Sequence, residues 1–356
     1  SHAVSDSQRF FETPATSDYR FLPEAEGATG TLSFPSAMQT PHVENNTAHA
    51  LYFRAVKAGR GRRAVVVLPQ WNAGPDGHVG LCRLLNRFGM SALRLTLPYH
   101  DARRPADLSR ADYIVSANIA RTAQACRQAV MDARRAVAWL ARQGYDRIGI
   151  LGTSLGSCLS LLTAAHEPLI RAQALNHISP YFADVVWRGL STTHVRAGLE
   201  GSIELDRLRE MWLPISPQVY LDRIKDTKTL LVYSKYDLTF PVDLSRDLVR
   251  EFERRGIPHE LAVLPCGHYS TGMAPFKYLD GYALTTRVRP VAFMDAKVVD
   301  QRVLAVYFDE RERVSQIADY GLQDGRVFDF ITRTTPTGGQ DMNFLSQLLG
   351  AGPGLG

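Results

Sequence analysis

The chain has 356 residues, 45% of them hydrophobic, and a formal net charge of +5. That length suits one large α/β domain with additions, and no apolar run is long enough for a membrane span. The positive charge is nearly all arginine, in pairs such as Arg62-Arg63, Arg103-Arg104, Arg134-Arg135 and Arg254-Arg255 scattered among acids, so a basic nucleic-acid face is not expected.

Four cysteines, Cys82, Cys126, Cys158 and Cys266, show no CxxC or Cys/His zinc spacing. No disulfide framework and no metal site are expected, and Cys126 and Cys158 read as buried thiols. This favours a reducing, cytoplasmic setting. The start at Ser-His-Ala, without Met, leaves room for a leader removed upstream, which would place the protein in the periplasm instead.

Residues 1–28 read as a polar, irregular extension with Phe10-Phe11 and Tyr19-Arg20-Phe21-Leu22 as docking points. Strands are expected over 29–34 and 48–56, with turn chemistry at Pro41 and Asn45-Asn46 between them. The apolar run 63–68 suits a strand buried on both faces of a parallel sheet, and it ends in Pro69-Gln70-Trp71-Asn72-Ala73-Gly74. Helical spacing over 78–88 stops at Gly89; a strand over 91–97 then leads into Pro98-Tyr99-His100-Asp101. Residues 112–143 form a long helical stretch, as two helices or one bent one, with Val130, Ala133, Val137 and Leu140 on its inner stripe. A strand over 147–151, a helix over 157–165 and a strand over 171–178 follow. Residues 181–223 break this alternation with short helical pieces carrying Trp187 and Trp212, where a lid would sit. A strand over 228–234, a helix over 243–256 with Asp243 as N-cap, and a strand over 259–264 complete a mainly parallel, doubly wound sheet.

The chemistry concentrates at Gly152-Thr153-Ser154-Leu155-Gly156, between a strand and a helix. A serine exposed at a tight turn needs glycines on both sides, and the helix behind it points free N–H groups at any anion formed there. The plain alternative is a Gly/Ser-rich turn that only joins two elements. Serine is a poor nucleophile without a base, and the base needs an orienting acid. Asp237 and His268 each follow a strand, in the order Ser…Asp…His. Asp243 is the weaker candidate acid. His78, His100 and His177 read as loop or helix-start histidines near the strand ends. No dinucleotide fingerprint is present, so no cofactor is expected.

These features resemble the α/β-hydrolase superfamily over about residues 25–284. The resemblance implies an α/β fold with a lid at about 181–223, Ser154 as nucleophile, Asp237 as orienting acid and His268 as general base. It also implies an oxyanion hole from the N–H of Leu155 and of a residue in the 69–72 loop, for which Trp71 is the choice, although Pro69-Gln70-Trp71-Asn72 departs from the glycine-rich loop of many relatives. Gln70, Asn72, Trp187 and Trp212 are the expected substrate-binding residues. The expected activity is ester hydrolysis of a small molecule, with acyl transfer, thioester cleavage or peptide cleavage as variants of the same chemistry.

A standard α/β-hydrolase would end with a helix near 274–284, whereas strands are expected over 288–293, 298–308 and 315–320. Val303–Glu310, Ile317–Gly325 and Phe328–Gly339 resemble the end of small outer-membrane assembly lipoproteins of the BamE type. That resemblance implies a β-rich appendage over 285–356, a surface for oligomer formation, and a rival reading as a non-catalytic envelope interaction protein.

Overall fold

The computed structural model describes residues 2–24, 29–55, 62–237, 239–264, 267–268, 279–291, 294–308, 314–323 and 326–329. They fall into two units, one of Ser1–Tyr233 and Leu238–Val263, the other of Ser234–Asp237 and Leu264–Gly356.

The first unit begins with short helices α1 (His2–Ser5) and α2 (Ser7–Phe10) and strand β1 (Arg20–Pro23), where composition predicts no regular structure. Tertiary contacts override the local signal. Phe11 is fully buried against His166 and Tyr220, and arginines of a long helix bind backbone carbonyls of this segment at Phe10, Phe11 and Pro14. Strand β1 pairs antiparallel with β2 (Thr29–Pro35), which pairs with β3 (Thr47–Phe53).

Next come β4 (Arg63–Leu68), α3 (Val79–Arg87), β5 (Ser91–Leu95), α4 (Ile119–Arg142), β6 (Arg147–Thr153), α5 (Leu155–Ala164) and β7 (Ile170–Asn176). Short helices α6 (Phe182–Arg188), α7 (Thr193–Ala197) and α8 (Leu205–Met211) form a cap together with 3-10 turns, ahead of β8 (Lys228–Ser234), α9 (Val242–Arg254) and β9 (His259–Leu264). The nine strands make one sheet in the order β1-β2-β3-β5-β4-β6-β7-β8-β9. The pairs β5–β4, β4–β6, β6–β7 and β7–β8 are parallel, and β3 joins β5 antiparallel. The side chains of β4 and β5 are mostly buried, as the apolar runs require of strands covered on both faces.

Helix α4 is a single helix of 24 residues rather than a pair, capped by Asn118, whose side chain accepts from the Arg121 N–H. Val130, Ala133, Val137 and Leu140 are all fully buried along it. Helix α9 starts one residue earlier than its sequence suggests, with Pro241 at the N-cap; Asp243 sits in the first turn and pairs with Arg188 at 2.7 Å. Cys82, Cys126 and Cys158 are buried free thiols, and Cys266 lies outside the described residues. No helix among the described residues is long and apolar enough to cross a membrane.

The second unit contains an antiparallel sheet in the order β10 (Leu279–Val291), β11 (Met294–Phe308), β12 (Val314–Gln323) and β13 (Arg326–Asp329). Residues 279–284, expected in a closing helix, are therefore strand.

A buried ion pair ties the antiparallel edge to α4. Arg103 and Asp132 meet at 2.8 Å with both side chains fully buried. The Asp132 carboxylate also accepts from the Ser36 hydroxyl and the Ala37 N–H, while Arg103 donates to the Thr96 and Asn45 carbonyls. Removing one partner strands the other charge out of water. Asp132→Ala should lower unfolding free energy by about 3–5 kcal/mol, read from urea denaturation, whereas breaking the exposed Arg207–Glu210 pair should cost under about 1 kcal/mol.

Candidate active site

Ser154 stands between β6 and α5 with φ 55° and ψ −117°, a conformation that costs a non-glycine residue about 1–3 kcal/mol. Its surroundings leave no other path. A Cβ on Gly152 would lie 2.1 Å from the Gly156 carbonyl oxygen, and one on Gly156 would lie 2.1 Å from the Leu68 oxygen. The Ser154 N–H donates to the Asn176 carbonyl at 2.7 Å. The Ser157 hydroxyl, one turn into α5, lies within hydrogen-bond distance of the Gly152 and Asn176 carbonyl oxygens. The turn is thus locked to β7. Helix α5 starts at Leu155, immediately behind the serine, so its first N–H groups have no partner within the helix.

The loop after β4 is held from four directions. The Asn72 N–H donates to His100 Nε2 at 2.9 Å. That nitrogen must therefore be the unprotonated one, and His100 Nδ1–H donates to the Pro98 carbonyl at 3.0 Å. Ala111 is bound twice: its N–H donates to Asn72 Oδ1 at 2.8 Å, and its carbonyl accepts from Trp71 Nε1–H at 2.9 Å. The buried Arg94 guanidinium donates to the Gly74 and Gly77 carbonyls and pairs with Asp101. His78 Nε2 lies 2.9 Å from the Thr153 hydroxyl, joining this loop to the residue before Ser154.

An open pocket lies at Ser154. Trp71, Leu155 and His177 line it. Four expected substrate contacts are not part of it. Trp212 is fully buried in the core, its Nε1–H donating to the Ile119 carbonyl and its ring edge-on to Phe182. Trp187 lies beside Arg196 instead. The Asn72 side chain is committed to Ala111, and Gln70 meets the loop through its carbonyl, which accepts from the Ala73 N–H. The cap contributes Phe182, Val185 and Val186 of α6 in their place. Composition could not single these out, because small apolar residues on a short helix look the same whether they face a core or a cavity.

In the second unit, His268 Nδ1 lies 2.7 Å from Asp237 Oδ2, and both side chains are buried. The Lys235 N–H donates to the Leu264 carbonyl at 2.8 Å, bracing the start of the segment that carries Asp237. With Nδ1–H directed at the carboxylate, His268 keeps Nε2 as its basic nitrogen. Ser154 belongs to the first unit and this couple to the second.

Solved structures share this architecture. The acylaminoacyl peptidase of Pyrococcus horikoshii superimposes with a TM-score of 0.53 at 15% identity, over 74% of this chain and 39% of the peptidase. Acetyl xylan esterase 1 of a Thermoanaerobacterium species gives 0.56 at 14%, over 75% of this chain and 88% of the esterase. A puromycin-hydrolysing peptidase of Mycobacterium tuberculosis gives 0.50 at 15%, over 68% and 42%. The chain thus has the α/β-hydrolase fold, and it spans well under half the length of the two peptidases. No family model and no curated protein matches it, so the likeness of its last residues to outer-membrane assembly lipoproteins gains no support.

Burial gives the site a pH signature. Desolvation, helped by Arg94, lowers the His78 pKa from 6.5 to about 4. His100 falls to about 4 chiefly by burial, against the raising effects of the Pro98 carbonyl and Asp101. His166 falls to about 4 by burial, with Arg223 and Arg134 adding to it and the Leu162 carbonyl opposing it. Folded values below the unfolded one mean that the unfolded chain binds protons first as pH falls. Stability is therefore full above pH 6.5 and is lost between about 6.5 and 4, by up to about 1.4 kcal/mol per pH unit for each histidine. Urea midpoints measured across that window should fall steeply, and His100→Gln should flatten the slope.

Proposed function

We propose that the protein is a serine hydrolase that cleaves carboxylic esters. The observation that carries this reading is the strained Ser154 turn at the mouth of a pocket, with a helix N-terminus directly behind it. A backbone conformation of that cost at a half-buried serine lining a pocket has a ready explanation in a nucleophile.

In this reading Ser154 Oγ attacks the ester carbonyl carbon while His268 Nε2 takes the hydroxyl proton. Asp237 holds the imidazole by Nδ1–H and stabilises its charged form. The carbonyl electrons move onto oxygen, which the N–H groups of Leu155 and Trp71 stabilise. Return of that electron pair breaks the ester C–O bond, and the alcohol leaves with the proton from His268. Water then attacks the acyl-enzyme and gives its proton to His268. The C–Oγ bond breaks, Oγ regains the proton, and the acid is released. The neighbouring Asn72 N–H already donates to His100, which favours Trp71 as the loop donor.

A fluorophosphonate probe should label the wild type at Ser154 and leave Ser154→Ala unlabelled. Asp237→Asn should lower kcat for a 4-nitrophenyl ester by about 10⁴-fold, the order found when a triad acid is neutralised. A wild type that is neither labelled nor active on esters would remove the reading.

A further inference from the structure

The pocket at Ser154 is walled by Val115, by Leu155 and Cys158 of α5, and by Phe182, Val185 and Val186 of α6. No Asp, Glu, Lys or Arg is among its described lining residues. Two of its hydroxyls are spent on the protein. The Ser179 hydroxyl donates to the Tyr181 carbonyl, and the Thr192 hydroxyl lies within hydrogen-bond distance of the Val185 and Gly189 carbonyls. The Cys158 thiol donates to the Ile215 carbonyl at 3.4 Å, and burial pushes its pKa up to about 12, so it stays neutral and acts as a small apolar surface. A ligand here is offered apolar contact and little hydrogen bonding.

Cys158 stands one helical turn beyond Ser154, on the same face of α5. Val186 lines the same pocket from α6. The alcohol part of an ester departs in the first half of the reaction, whereas the acyl part stays bonded to Ser154 until water enters. A pocket that begins at Ser154 and is walled by α6 suits the group that stays.

We propose that this pocket holds the acyl group of the ester as an uncharged apolar chain longer than acetyl, and that Cys158 and Val186 set its length limit. The proposal rests on Ser154 being the nucleophile. With no Asp, Glu, Lys or Arg among the described lining residues, a charged end is disfavoured here.

The test is a series of 4-nitrophenyl esters, from acetate through butanoate, hexanoate and octanoate to decanoate, with the hemisuccinate as the charged member. For the wild type, kcat/KM should rise about fourfold per methylene until the pocket is full, the factor that corresponds to burying one CH₂. The hemisuccinate should be turned over at least about 100-fold less efficiently than the butanoate, since its charge is desolvated without a partner. Cys158→Ala should move the best chain length upward, and Val186→Phe should move it downward. Opposite shifts are not produced by general loosening of the fold. A flat or falling series, an equally good hemisuccinate, or shifts in the same direction would overturn the assignment. If Ser154→Ala abolishes turnover while the series is flat, only the acyl assignment fails. If the wild type neither hydrolyses any ester nor takes the fluorophosphonate label, the hydrolase reading fails and takes the assignment with it.

Discussion

The close approach of Gly156 to the ends of β4 is the constraint on which the site depends. Its Cα packs where a Cβ would lie 2.1 Å from the Leu68 oxygen and 2.6 Å from the Pro69 oxygen. Strands β4 and β6 are paired in register up to Leu68 and Gly152, so the contact draws the start of α5 onto the mouth of the loop after β4. Ser154 has no room for a relaxed turn and takes a positive φ. The loop after β4 is placed by the same contact. Backbone strain gathers here: among the described residues the non-glycine positions with positive φ are Asn72, His78, Tyr99, Asp101, Ser154 and His177. Each follows the carboxyl end of β4, β5, β6 or β7. Packing elsewhere must outweigh a cost of about 1–3 kcal/mol at each, and the continuous buried core beneath the sheet supplies it.

Neutrality is the second property of this end of the sheet. His78 and His100 are kept uncharged by burial, and the partners of His100 fix its tautomer. Cys158 is kept as a thiol. The buried charges nearby are paired, Arg94 with Asp101 and Arg103 with Asp132. Arg94 spends its remaining donors on the Gly74 and Gly77 carbonyls, so it acts as a brace for the loop rather than as a bare charge. A site of this kind has few competing charges, and the backbone dipoles aimed at a developing anion act in a low effective dielectric.

Much of this was legible in the sequence where one residue type satisfies one local geometry. The Gly-x-Ser-x-Gly turn is such a case, since its glycines answer contacts made within a few residues of the serine and one neighbouring strand. The parallel strands were legible from wholly apolar runs. The placement of Asp237 and His268 after strands could be read, and their mutual hydrogen bond is observed, while their service to Ser154 remains part of the proposed mechanism. What was not legible depends on distant partners. Trp212 and the cap valines are all residues that favour burial, yet only the fold decides that the tryptophan fills the core and the valines line the cavity. Asn72 looked like a substrate contact because nothing in its own segment announces Ala111, to which its side chain is bound. Strand β1 escaped notice because its residues are exposed, and its pairing comes from β2 rather than from apolar periodicity.

The joint between loop and cap follows from these distant contacts. Trp71 is fixed at its Nε1 by Ala111, its ring stacks with His194 of α7 at 5.8 Å, and the Arg110 guanidinium lies 5.0 Å from the ring centre. The same residue lines the pocket. Its backbone is bounded on the next residue by the Asn72–His100 hydrogen bond. A displacement of α7 would therefore act on a ring whose other attachments hold the loop after β4, while α6, in the same cap, lines the pocket. Filling of the pocket and positioning of the loop are in this way geometrically tied through one side chain.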